Sequence, residues 1–262
     1  QGPVGAALTL PYFAAAAWYH KALPGDLQSR DLDALLKEVE QYTVEHYIPA
    51  LTRAGSLTSA ERRGVAERVA RYTGTDGQVV LDNNLALSTS FFWKDVLRER
   101  GLAIGRLDSR YTGINRANAG QSPDFDPALT AWNHAFAPAI NHYLRDVLRY
   151  DTNLQYWLFG PVNPWNREGD TTGDSLAAAM RQNPFLHLMV QSGYFDGGTD
   201  YFSAKYNLWQ MDPAGALQAR MRFEGYRSGH MMYLRQEDLA ASNDHVRDFI
   251  RKAIPPPGTS AR

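Results

Sequence analysis

Phe185-Leu186-His187-Leu188-Met189-Val190 is a short, mostly apolar run with the length and flanks of a buried strand. It leads into Gln191-Ser192-Gly193, and Tyr194-Phe195-Asp196-Gly197-Gly198-Thr199 follows as a turn-rich loop. Met221-Arg222-Phe223-Glu224-Gly225-Tyr226 alternates apolar and polar side chains like a second strand, and Ser228-Gly229-His230-Met231-Met232-Tyr233 puts a histidine on the loop after it. An acid just past the C-terminal end of a parallel strand sits where open α/β sheets place their ligands. Two such strands side by side bring Asp196 and His230 together from distant parts of the chain. That is the pairing by which a carboxylate orients an imidazole as general base. Asp200 is the alternative acid, and it reads as the start of the next helix. On spacing alone, a turn aspartate and an exposed histidine remain open as the alternative.

Upstream of this stretch the chain reads as mainly helical. Residues 1–23 are apolar and rich in small residues, a loop leading into a short buried helix. Leu32, Leu35, Leu36, Val39 and Tyr42 form a helical stripe, with Ser29 or Asp31 as its cap and Pro49 as its kink or end. Thr58 and Glu61 form a capping box for a helix that runs to Tyr72 and stops at Gly74. Residues 83–100 read as one more helix and residues 105–120 as loop. Asp126-Pro127 opens a long amphipathic helix whose stripe is Leu129, Trp132, Phe136, Ile140, Tyr143, Leu144 and Val147. Residues 160–173 form a Pro, Asn and Gly loop, taken as a boundary, and residues 175–182 a short helix into the first strand. After the Asp196 loop, residues 201–211 read as helix. Residues 237–252 form a last helix, with Leu239, Val246, Phe249 and Ile250 packing on the sheet.

Composition excludes several classes. The 262 residues are 44% hydrophobic and 21% charged, with a net charge of −1, which leaves no basic field for nucleic acid. No apolar run approaches the roughly 18 residues of a membrane span. With no cysteine there is no disulfide framework, zinc-thiolate site or thiol nucleophile. The histidines are scattered without His-x-x-x-His spacing, and no phosphate-cradling glycine motif occurs, so neither a metal nor another cofactor is expected. Gly173-Asp174-Ser175-Leu176 spells an esterase signature, but no histidine has Asp three residues before it. Ser175 is read instead as part of a helix cap. Ser192 and Ser228 read as turn formers.

Tyr194-Phe195-Asp196 with Thr199, and Ser228 through Tyr233, resemble the Asp and His motifs of the serine carboxypeptidase family. Leu10-Pro11-Tyr12 through Ala17-Trp18-Tyr19-His20, Gly105-Arg106-Leu107-Asp108-Ser109-Arg110-Tyr111-Thr112-Gly113, and Asn183-Pro184 are similar to its bacterial branch. The resemblance covers nearly the whole chain and about the second half of a family member. It implies an α/β-hydrolase whose triad runs in the order Ser, Asp, His, with Asp196 and His230 as its last two members. A Gly-x-Ser-x-Gly turn and oxyanion-hole glycines do not occur in the chain, which begins at Gln1 as a fragment or processed product does. The expectation is therefore the C-terminal part of a peptidase that releases C-terminal residues, inactive without the nucleophile-bearing N-terminal half. A secreted or periplasmic location follows from the same resemblance.

The implied organisation is a lead-in at residues 1–23 packing on the hydrolase core, a helical cap at 24–165, C-terminal core strands and helices at 166–254, and a disordered tail at 255–262. Fold and triad do not fix the substrate, so an esterase or acyltransferase is the first alternative. A non-catalytic helical interaction module is the second, favoured if Asp196 and His230 lie apart.

Overall fold

A computed structural model of the chain describes residues 2–155, 166 and 168–255. It is a mixed α/β structure, mainly helical, with two small sheets. Helix α1 (Leu10–Tyr19) is its centre, and every residue from Leu10 to Ala17 is buried. The alanines Ala14 to Ala17 keep α1 narrow, so α2 (Leu32–Tyr42) and α3 (Ser59–Thr73) pack closely against it. Asp31 caps α2 by accepting from the N–H groups of Asp33 and Ala34. Thr58 and Glu61 complete a reciprocal capping box on α3, and Gly74 closes that helix at φ 68°, a left-handed conformation that glycine adopts without strain.

Between α2 and α3 the chain does not stop at Pro49. A π-helical turn over Thr43–Tyr47 absorbs the missing N–H, and helix resumes at Ile48–Arg53. The helix expected over residues 83–100 is shorter. Gly77–Asp82 forms a separate helix, Asn84 and Leu85 turn the chain with positive φ, and only α4 (Thr89–Asp95) and a 3-10 turn follow. Leu85 accepts that backbone because its side chain is buried and its carbonyl takes the Tyr47 hydroxyl.

The stretch 105–120, expected as loop, contains a strand. β1 (Leu102–Ile104) pairs antiparallel with β2 (Thr112–Ile114), in the register Leu102 to Ile114. Helix α5 (Pro127–His142) starts under the Asp126 cap and passes into a π-helical turn at Tyr143–Val147. Of its apolar stripe only Trp132 is buried, beside Pro127 and Ala128 of the first turn, while Phe136, Ile140, Tyr143 and Val147 are exposed, because the helix leaves the body after its second turn. Half of the boundary loop lies outside the described residues, as does the tail after Pro255. Helix α6 (Thr172–Gln182) starts earlier than expected, with Thr171 as N-cap and Ser175 inside the first turn.

The second sheet carries the site. β3 (Leu188–Gly193) runs parallel to β4 (Met221–Tyr226), pairing Leu188 with Met221 and Gly193 with Tyr226. β3 thus lies three residues later than the apolar run 185–190, and it includes Gln191-Ser192-Gly193. The Arg220 guanidinium binds the carbonyls of Asn183 and Leu186 and holds those residues in a turn. Between the strands, Asp200 caps α7 (Tyr201–Met211). Phe223 turns toward Tyr201 and the main core. The opposite face of β4, with Arg222, Glu224 and Tyr226, meets α8 (Gln236–Ala253) through polar groups: Arg222 to Asp248, Tyr226 to His245, and Gln191 to Ser242. Of the four residues expected to pack on the sheet, Leu239, Val246 and Ile250 are instead 37%, 36% and 50% exposed, while Phe249 is half-buried with its ring edge-on to His187 at 6.3 Å. Polar side chains on the sheet select the polar side of the helix. No helix among the described residues is long and apolar enough to cross a membrane.

Candidate active site

Parallel pairing brings the C-terminal ends of β3 and β4 to the same edge, and both site loops leave from there. The Tyr194 N–H donates to the Tyr226 carbonyl at 2.8 Å and the Phe195 N–H to the Ser228 carbonyl at 2.9 Å, so the two loops continue the ladder past the sheet. A third segment is woven in. The His230 N–H donates to the Leu107 carbonyl (2.8 Å), the Gly197 N–H to the Arg106 carbonyl (2.9 Å) and the Ser109 N–H to the Phe195 carbonyl (2.9 Å).

These bonds bring Asp196 and His230 together. Imidazole Nδ1 lies 2.8 Å from Asp196 Oδ2. An ionised carboxylate only accepts, so Nδ1 carries the proton in this bond and Nε2 is left as the basic nitrogen. Nε2 has no hydrogen-bond partner among the described residues. Asp196 Oδ1 accepts from the N–H groups of Gly198 (2.8 Å) and Thr199 (3.1 Å), and the Thr199 hydroxyl donates to Oδ2 at 2.6 Å. A buried carboxylate needs such a full set of donors to stay ionised at low cost. Asp200 is built differently. Its oxygens go to the N–H and hydroxyl of Ser203, both at 2.8 Å, and burial pushes its carboxyl up, so it serves the start of α7.

Below the loop, the buried Tyr12 hydroxyl accepts from the Trp93 indole N–H at 2.9 Å and lies against Gly197, where a Cβ would run into both side chains. Burial pushes the Tyr12 pKa far up, so it stays a neutral phenol beside the carboxylate. The segment from Arg106 to Arg110 is fixed from several sides. Asp126 accepts from the N–H groups of Arg106 and Leu107, Asp108 pairs with Arg110 at 2.6 Å, and His20 Nε2 donates to the Ser109 carbonyl at 2.5 Å.

The strand-and-loop reading offered Asp196 and His230 as a pair, and the resemblance named them as the site. Neither assigned roles to Thr199, Tyr12 or the Asp108–Arg110 pair, which support the two loops. Their only signal was that all stand inside the motifs quoted for the resemblance. Ser228 is buried and gives its hydroxyl to Asp238, and Ser192 lies within β3, so neither is an exposed hydroxyl on a site loop. Among the described residues no three His, Asp or Glu side chains are grouped to hold a metal ion. No protein-family model, no curated protein and no solved structure matches this chain.

Proposed function

We propose that this chain supplies the acid and base of a Ser-Asp-His triad, as the C-terminal part of an α/β-hydrolase of the serine carboxypeptidase kind. The observation that carries the reading is the 2.8 Å bond between His230 Nδ1 and the buried Asp196 carboxylate, with Nε2 unpaired among the described residues. In that role Nε2 takes the proton of a serine hydroxyl as the hydroxyl attacks a peptide carbonyl, then returns it to the leaving amine. Asp196 holds the productive tautomer and stabilises the imidazolium that forms. The serine and the oxyanion donors come from a separate N-terminal segment, and the substrate is a peptide cleaved at its C-terminus. An ester or another acyl acceptor would use the same two residues.

The test compares this chain alone with the chain joined to a nucleophile-bearing N-terminal segment, on N-blocked dipeptides and on a matched ester. The joined protein should hydrolyse the dipeptide and the chain alone should not. A joined, folded protein that stays fully active as His230→Ala would sink the assignment. Turnover of the ester without the dipeptide would keep the triad and move the substrate class.

A further inference from the structure

A cleft of about 370 Å³ opens beside the site loops, lined by Tyr19, Arg110, Tyr111, Leu234 and Arg235. That volume is within the range of small-molecule sites, roughly 300–1,000 Å³. Leu234 and Arg235 continue the loop that carries His230, and Arg110 and Tyr111 follow the Leu107 carbonyl that accepts the His230 N–H. The polar groups lining the cleft are two guanidiniums and two phenols, with no carboxylate among them.

Both cations are fixed from behind. Arg110 gives Nε and Nη2 to Asp108 at 2.9 and 2.6 Å and Nη1 to the Arg227 carbonyl at 3.0 Å, which leaves one N–H on each Nη. Arg235 gives Nη1 to Asp238 at 2.7 Å and has Nε 3.5 Å from the exposed Glu237 carboxylate, and its Nη2 has no partner among the described residues. Burial works against the Arg110 charge, and the bond to Asp108 outweighs it, with the Tyr19 and Tyr111 hydroxyls near enough to add to the effect. The aromatic walls are fixed as well. Tyr19 sits edge-on to Phe195 at 5.3 Å and Tyr111 edge-on to Trp132 at 5.9 Å.

Directed N–H groups on two guanidinium forks suit a planar carboxylate. Asp108, Asp238 and the exposed Glu237 offset the cationic charge, so directed N–H groups rather than net charge would hold the ligand, which disfavours a dianion such as phosphate. Two tyrosine rings and Leu234 suit an apolar body. We infer that this cleft binds a monoanionic carboxylate carried on a small aromatic or apolar group, with Arg235 as its main charged contact and Tyr111 as a neutral donor. The inference does not depend on Asp196 and His230 being catalytic.

The test titrates the full 262-residue chain with benzoate, benzamide and inorganic phosphate at neutral pH, by ligand-observed NMR. Benzoate should bind saturably, and benzamide and phosphate at least about tenfold more weakly, the worth of one charge-assisted bond. Arg235→Gln should lower benzoate affinity by about tenfold. Tyr111→Phe, which leaves both ion pairs in place, should lower it several-fold, and it decides alone if Arg235→Gln does not fold. His230→Ala should leave benzoate binding unchanged. Benzamide or phosphate binding as tightly as benzoate, or unchanged benzoate affinity in the folded variants, overturns the inference.

Discussion

Asp196 and His230 are joined by a 2.8 Å bond but stand in unequal surroundings: the carboxylate side chain is 5% exposed and the imidazole 46%. Asp196 also accepts from two backbone N–H groups and a hydroxyl, so it is tied to the backbone of its own loop. His230 is held by its backbone N–H to Leu107 and by the Asp196 carboxylate. The acid belongs to the fold, and the base is mounted on it.

This inequality sets the first prediction. His230→Ala should shift the urea midpoint little, by the equivalent of about 0.5 kcal/mol or less, as exposed truncations do. Asp196→Asn should cost about 1–3 kcal/mol, because its NH₂ group faces donors that require an acceptor. In a joined, active protein both should cripple turnover, Asp196→Asn by about 10⁴ through the wrong imidazole tautomer. A His230→Ala chain that melts far below the parent would contradict the division drawn here.

Thr199 gives a sharper case. Its hydroxyl and the His230 imidazole Nδ1–H both donate to Asp196 Oδ2. Thr199→Val keeps the shape and removes one donor, so stability should fall by about 1 kcal/mol. The low-field Nδ1 proton of His230 should move in the NMR spectrum, and Thr199→Ser should restore it. An unmoved resonance in Thr199→Val would show that the hydroxyl does not help set the carboxylate's bond to His230.

Much of this site was legible in the sequence because it depends on local signals. Turn residues after two strand-like runs placed Asp196 and His230 on loops, and β4 has the bounds read from its alternation. The 185–190 run misled because its apolar content spoke for burial, while Arg220 ties down the carbonyls at its start. The stripes of α5 and α8 misled in the same way. Periodicity marks an apolar face, but the neighbour it meets is set by the tertiary fold. Phe136 and Ile250 are on such faces and are exposed. The Arg106–Arg110 segment was marked only by the resemblance, and its interleaving with the site loops was not legible, since those bonds join backbone groups far apart in the chain.

Close approach makes Gly193 the most constrained position of the site. A Cβ there would run into the carbonyl oxygens of Ser228 and Gly229, which are backbone and cannot swing away. Gly193→Ala should therefore cost about 3 kcal/mol or more. Gly64 in the middle of α3 has open space around it, and Gly64→Ala should stabilise by about 0.5–1 kcal/mol. Urea midpoints of the two variants should move in opposite directions.

His20 links the site to pH. Burial holds its pKa below the ordinary 6.5, with Arg100 adding to this, over the opposing bond to the Ser109 carbonyl. A lowered imidazole pKa means the unfolded chain takes up the proton first. The His20 contribution is thus fully present above pH 6.5 and is lost as pH falls below that value toward its folded pKa. Stability measured from pH 7.5 to 5 should fall more steeply in the parent than in His20→Gln, which has no such titration. Parallel curves would mean that His20 is not held neutral.

The seam between α8 and the sheet supplies the last prediction. Arg222 to Asp248 crosses the seam and Lys252 to Asp248 lies within α8; both are exposed pairs that add little and are screened by salt. At 1 M salt the screening length is about 3 Å, so these pairs should weaken together. Amides of α8 should then exchange faster with solvent, while those of α1, buried among apolar side chains, should not. The outward stripe behaves oppositely. Val246 and Ile250 already meet water, so Val246→Gln with Ile250→Gln should change the melt by about 0.5 kcal/mol or less and lower the fluorescence of a hydrophobic dye. If an N-terminal segment completes the hydrolase over that stripe, the same pair of substitutions in the joined protein should cost about 1–3 kcal/mol for each buried side chain lost. Equal, small effects in both proteins would mean that the stripe stays exposed and that the companion segment docks elsewhere.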